Sequence, residues 1–199
     1  ISKGLAKAHE KEIVHRDIKP ANVMLTKESV VKVLDFGLAK LSAQTKLTKE
    51  STTLGTVSYM SPEQAKGEEV DYRTDIWSLG IILYEMLTGQ LPFKGEYESA
   101  VIYSILNDTQ EPVTSLRTGI PMEFERIVNK CLKKNPEDRY QHIDELIVDL
   151  NGLKLSTIWR HNRCARQKEQ FQKMIPIRRI TRYVTGFAGR RQHDSLIRL

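Results

Sequence analysis

The run Thr74 to Leu87, TDIWSLGIILYEML, is apolar on nearly every side. A helix with one polar face can lie on a surface, but one that is apolar all round has to be surrounded by other elements. This segment is therefore expected at the centre of a folded domain. Gly89 is placed to end it in a left-handed cap, and Pro92 follows shortly after. Asp75 stands at its start, where a carboxylate is an ordinary capping choice. At 199 residues the chain is long enough for one domain with a proper core and short for two. The apolar run Ile76 to Met86 contains Glu85 and falls well short of the roughly 20 residues that span a bilayer.

The remaining periodicities give a mostly helical α+β chain. Ile1 to Glu12 reads as the end of a helix, with Ile1, Leu5 and Ala8 on one face. NVML and VVKVLD are β-rich runs separated by TKES, which predicts one small hairpin. Further helices are expected at Tyr97–Leu106, Met122–Leu132 and Ile143–Leu153. From Phe36 to Pro62 the chain is rich in Ser, Thr, Gly and Lys without a sustained period, and so long an irregular stretch inside a domain is usually functional. No internal repeat is visible.

Charge divides the chain in two. Residues 151–199 carry twelve Lys and Arg against two Asp and Glu, while residues 1–150 carry nineteen against twenty-three. The basic balance of the whole therefore belongs to a tail, which weakens a nucleic-acid reading of the folded part. Two cysteines, Cys131 and Cys164, are too few for a disulfide framework, so a reduced, cytoplasmic setting is the expectation. The opening ISKGLAKAHEKE is basic and amphipathic rather than a secretory signal.

The chemistry concentrates in HRDIKPANVML, His15 to Leu25. Asp17 and Asn22 lie five apart on one loop, and Asp35 follows at the end of a β run. Carboxylate and carboxamide oxygens are hard ligands suited to Mg²⁺, which binds through one or two carboxylates plus substrate phosphates. Another carboxylate can take a proton from an attacking hydroxyl, and Lys19 brings a positive charge to a phosphoryl group. A base, metal ligands and a cation make up the needs of phosphoryl transfer.

HRDIKPAN, DFG at Asp35–Gly37, GTVSYMSPE at Gly55–Glu63 and DIWSLG at Asp75–Gly80 stand in the order and spacing of the protein kinase catalytic region, and the chain resembles that family over about residues 1–153. SPEQA and DRYQ resemble bacterial eukaryotic-type Ser/Thr kinases most. The resemblance implies the large, C-terminal lobe of a kinase fold, followed by a basic extension over 154–199. It implies Asp17 as catalytic base, Asn22 and Asp35 as Mg²⁺ ligands, Lys19 at the γ-phosphate of ATP and Met24 under the adenine. Lys19 with Thr56 implies Ser/Thr protein substrates. His15 and Phe36 match members of a stacked apolar column, and Arg16 matches an arginine that meets a phosphate on the activation loop, where Thr52 and Thr53 are the expected sites. Glu63 is expected to pair with Arg139, and Asp75 to bond the backbone of the His15–Arg16 turn.

Two departures stand out. Ser61 replaces the commoner alanine before Pro62-Glu63, which reads as neutral because serine is small. No glycine-rich phosphate loop or strand lysine is present, so the chain is expected to begin inside the helix before the catalytic loop, without its small lobe, and to be inactive alone. The alternatives are a non-catalytic kinase-like interaction module, or a tail that binds lipid or nucleic acid. For residues 154–199 a solvated extension comes first, an anionic membrane surface second and nucleic acid a poor third. His9, His142, His161 and His193 have no ligand-like neighbours in sequence and are expected on the surface.

Overall fold

The structure is a computed structural model that describes residues 1–36 and 57–160, with side chains through 153. Seven α-helices are described: α1 Ser2–His9, α2 Pro62–Lys66, α3 Arg73–Thr88, α4 Glu98–Asn107, α5 Val113–Leu116, α6 Met122–Cys131 and α7 Ile143–Arg160. Two strands, β1 Val23–Leu25 and β2 Val31–Val33, form an antiparallel hairpin in which Met24 faces Lys32. The architecture is the mostly helical one with a single small hairpin expected from the sequence.

Helix α3 is the centre. Asp71 starts it by accepting the Arg73 amide at 2.8 Å, and Gly89 ends it at φ 78°, its amide returning to the Glu85 carbonyl. The helix parts two cores. Ile76, Leu79 and Ile82 face Leu5, Ile18, Ile127, Cys131 and Leu146, while Trp77, Ile81 and Tyr84 face Phe93, Val101, Ile105 and Val128. Helix α6 touches both through Ile127 and Val128. It crosses α3 at Gly80, where an added Cβ would lie 2.5 Å from Cys131 Cβ. Only a residue without a side chain allows that approach, so Gly80 tolerates its helix-weakening cost in exchange for packing.

The helix ends differ from expectation in two places. Helix α1 stops at His9, short of Glu12, because Glu12 turns to φ 58° and the Ile13 amide reaches back to the Ala8 carbonyl. At the other end α7 runs on to Arg160, past the expected stop at Leu153. Gly152 lowers helix propensity by only about 1 kcal/mol, and no proline stands between it and Arg160 to break the ladder. Among the described residues, no helix is long and apolar enough to cross a membrane.

A candidate phosphoryl-transfer site

The loop between α1 and β1 is held by side chains from distant elements. Arg16 adopts φ 68°, a left-handed conformation that costs a side-chain-bearing residue about 1 kcal/mol or more. Asp75, fully buried in the first turn of α3, offsets that strain. Its Oδ1 accepts the Arg16 amide at 2.8 Å and its Oδ2 accepts the His15 amide at 2.9 Å. Both are charge-assisted bonds in a site closed to water, about twice as strong as neutral ones. Contrary to the capping role expected from its place in sequence, Asp75 caps no amide of its own helix and gives its carboxylate to the loop.

His15 is fully buried and fixes the other side of the loop. Its Nδ1 accepts the Asp17 amide at 3.3 Å, so the ring proton sits on Nε2, which donates to the Leu34 carbonyl at 2.7 Å. Its ring meets Phe36 edge-on at 4.8 Å. The loop is thereby tied to the end of the hairpin, and the Leu34 amide donates to the Asn22 carbonyl at 2.9 Å. That backbone bond brings Asp35, the residue after Leu34, alongside Asn22. Asp35 is exposed and left-handed at φ 59°, a conformation that aspartate tolerates better than most residues.

Asp17 Oδ2 accepts from Asn22 Nδ2 at 2.9 Å and pairs with Lys19 Nζ at 2.9 Å. Asn22 Nδ2 also donates to the Asp17 carbonyl at 2.8 Å. Among the described residues nothing bonds Asp17 Oδ1, and the side chain is 36 % exposed. One carboxylate oxygen is therefore spent on orientation, while the other, among the described residues, keeps its acceptor capacity unused. Because the Asn22 nitrogen is committed to Asp17, its carboxamide oxygen points the other way as a hard donor. Asn22 and Asp35 fit Mg²⁺ by donor chemistry. Met24 lies half-buried on β1.

Away from the loop, Glu63 and Arg139 form a two-pronged ion pair, with Nη1 to Oε1 at 2.8 Å and Nη2 to Oε2 at 2.7 Å, both side chains buried. Thr52, Thr53 and Thr56 lie outside the described residues, as do His161, His193 and the basic segment beyond Arg160.

A family model described as a protein kinase domain matches residues 1–148. The chain belongs to the protein kinase family. It is 42 % identical over 154 residues to a probable serine/threonine-protein kinase of Clostridium acetobutylicum, an overlap covering 77 % of this chain and 23 % of that protein. It is 44 % identical over 144 residues to the serine/threonine-protein kinase PknB of Mycobacterium leprae, covering 72 % of this chain and 23 % of PknB. Among solved structures, the twitchin kinase region of C. elegans aligns with a TM-score of 0.63 at 31 % identity, over 74 % of this chain and 26 % of that one. This kinase chain thus spans about a quarter of the length of the curated relatives it matches.

Two residues of the kinase loop's support escaped the sequence reading. His9, expected on the surface, is only 9 % exposed at its side chain and its Nε2 lies 2.9 Å from Asp75 Oδ2. The partner is 66 positions away, so no local pattern around His9 announces it. Gln64 likewise reads as an ordinary helical residue, yet its Nε2 donates to the Arg16 carbonyl at 2.8 Å. His142 is exposed, stacked on Tyr72 at 5.9 Å.

Proposed function

We propose that this chain carries the phosphoryl-transfer site of a serine/threonine protein kinase acting with ATP and Mg²⁺ on protein hydroxyls. The observation that carries the reading is the Asp17 carboxylate, with Oδ2 pinned by Asn22 and Lys19 and Oδ1, among the described residues, left as an acceptor. In this role Asp17 Oδ1 orients a substrate Ser or Thr hydroxyl and takes its proton as the oxygen attacks the γ-phosphorus. Lys19 sits where a cation offsets charge developing on the transferred group while holding the base in place. Asn22 and Asp35 would hold Mg²⁺, which neutralises phosphate charge when bound with ATP. Met24 offers apolar surface beneath the adenine. The relatives named as serine/threonine-protein kinases support the substrate class.

The test is transfer of radiolabelled phosphate from ATP to a serine- and threonine-containing acceptor by the intact protein. Asp17→Asn should abolish transfer while nucleotide affinity stays within about twofold, since uniform binding is untouched. Full activity in Asp17→Asn would overturn the assignment.

A further inference from the structure

Gln64 occupies a position that its type alone can fill. On one side its Oε1 lies 3.1 Å from the Ser61 amide nitrogen and 2.9 Å from Thr74 Oγ1. On the other, its Nε2 donates to the Arg16 carbonyl at 2.8 Å. The Ser61 amide can only donate and the Arg16 carbonyl can only accept, so the orientation of the carboxamide is settled by its neighbours. Flipping it would set N–H against N–H and oxygen against oxygen. Ser61 Oγ, 2.6 Å from Thr74 Oγ1, also accepts the Gln64 amide, so the side chain emerges from a capped helix end with its oxygen already anchored.

The Arg16 carbonyl belongs to the peptide unit that leads into Asp17. That unit's N–H is held by His15 Nδ1, and the preceding amide is held by Asp75. Gln64 supplies the remaining contact, on a residue in the left-handed region where an unheld backbone would relax. We infer that Gln64 is a positioning residue for the catalytic loop, coupling helix α2 to the orientation of Asp17 through the Arg16–Asp17 peptide. The inference rests on the kinase reading for its functional consequence, but not for the clamp itself. Helix α2 begins at Pro62, so a displacement of its first turn reaches the Arg16–Asp17 peptide through the Gln64 carboxamide.

The informative variant is Gln64→Glu in the intact protein. Glutamate preserves shape and keeps the acceptor side toward Ser61 and Thr74, but turns an oxygen onto the Arg16 carbonyl. Hydrogen exchange measured by mass spectrometry should quicken on the order of tenfold at residues 15–17 while α6 and α7 keep their protection, since local openings are separable from global unfolding. In phosphate transfer, kcat should fall on the order of tenfold to a hundredfold, the cost of a misplaced reacting group, with KM for ATP changed by less than about twofold. Unchanged exchange at 15–17 overturns the clamp whatever the activity, as does a loss of protection spread equally over α6 and α7. Faster local exchange with an unchanged kcat also overturns the coupling to Asp17. A wild-type protein that transfers no phosphate, yet shows the local effect in Gln64→Glu, would uphold the clamp and remove the kinase reading.

Discussion

The Asp75 carboxylate receives the Arg16 amide at 2.8 Å across 59 positions of chain, and so joins the buried central helix to a strained loop. The same carboxylate takes the His15 amide and the ring of His9, leaving neither oxygen without a donor. Arg16 is held in a conformation that arginine does not favour because a fully buried anion needs its N–H.

This relationship makes Asp75→Asn a severe change despite its shape. Either oxygen that becomes NH₂ faces a donor. Stability should drop by about 2–3 kcal/mol, the cost of leaving buried donors unsatisfied, and phosphate transfer should fall with it. Thermal melting and a transfer assay check this; an asparagine variant that melts with the wild type would contradict it.

Arg139 and Glu63 are buried and doubly bonded, and Arg139 also donates to the carbonyls of Lys133, Lys134 and Arg73. Arg139→Ala strands the Glu63 carboxylate and should cost about 3–5 kcal/mol. Arg126 offers the contrast: it pairs with Asp149 at 3.1 Å but its side chain is 61 % exposed. Arg126→Ala should cost less than about 1 kcal/mol. Comparable denaturant midpoints for the two variants would show that burial does not decide the difference.

Ser61 reads in sequence as a neutral replacement of alanine, and the structure revises that. Its Oγ accepts the Gln64 amide, completes a capping box with the Gln64 side chain and lies 2.6 Å from the buried Thr74 hydroxyl. Ser61→Ala should lower stability by about 1 kcal/mol for the cap alone, and more once the Thr74 hydroxyl loses a partner. Urea titration of the two proteins measures it.

Lys134 supplies a pH dependence. Its Nζ sits 3.8 Å above the Phe93 ring and 2.5 Å from the Ile105 carbonyl at the end of α4, and burial pulls its ammonium down from 10.5 to about 8. Between those values the unfolded chain binds the proton that the folded chain has released. Stability from this group therefore rises as pH climbs from about 8 to about 10.5 and is flat below. Lys134→Met lacks the titration, so the wild type should gain stability relative to it between pH 7.5 and 10. Chemical denaturation at the two pH values gives the sign, and a constant difference would refute it.

What was legible in the sequence was periodic or local. The all-round apolar run was expected as a central helix, Gly89 was placed to end it, and the β-rich runs NVML and VVKVLD, separated by TKES, suggested a small hairpin. The residues proposed for the chemistry were legible as well, because Asp17, Lys19 and Asn22 share one loop, and Asp35 reaches Asn22 through strand pairing that the same pattern implies. Beyond the Asp75 bond to the His15–Arg16 turn that the resemblance implied, tertiary structure alone decided how that loop is held. Gln64 meets Arg16 across 48 positions and His9 meets Asp75 across 66, without a repeat or spacing to mark either. Several of the decisive partners are backbone groups, the Arg16 carbonyl and the His15 and Arg16 amides, and a backbone group carries no residue identity for a sequence to display. The strain at Arg16 follows for the same reason: arginine disfavours φ 68° on its own, and only the carboxylate of one helix and the carboxamide of another make that conformation the stable one.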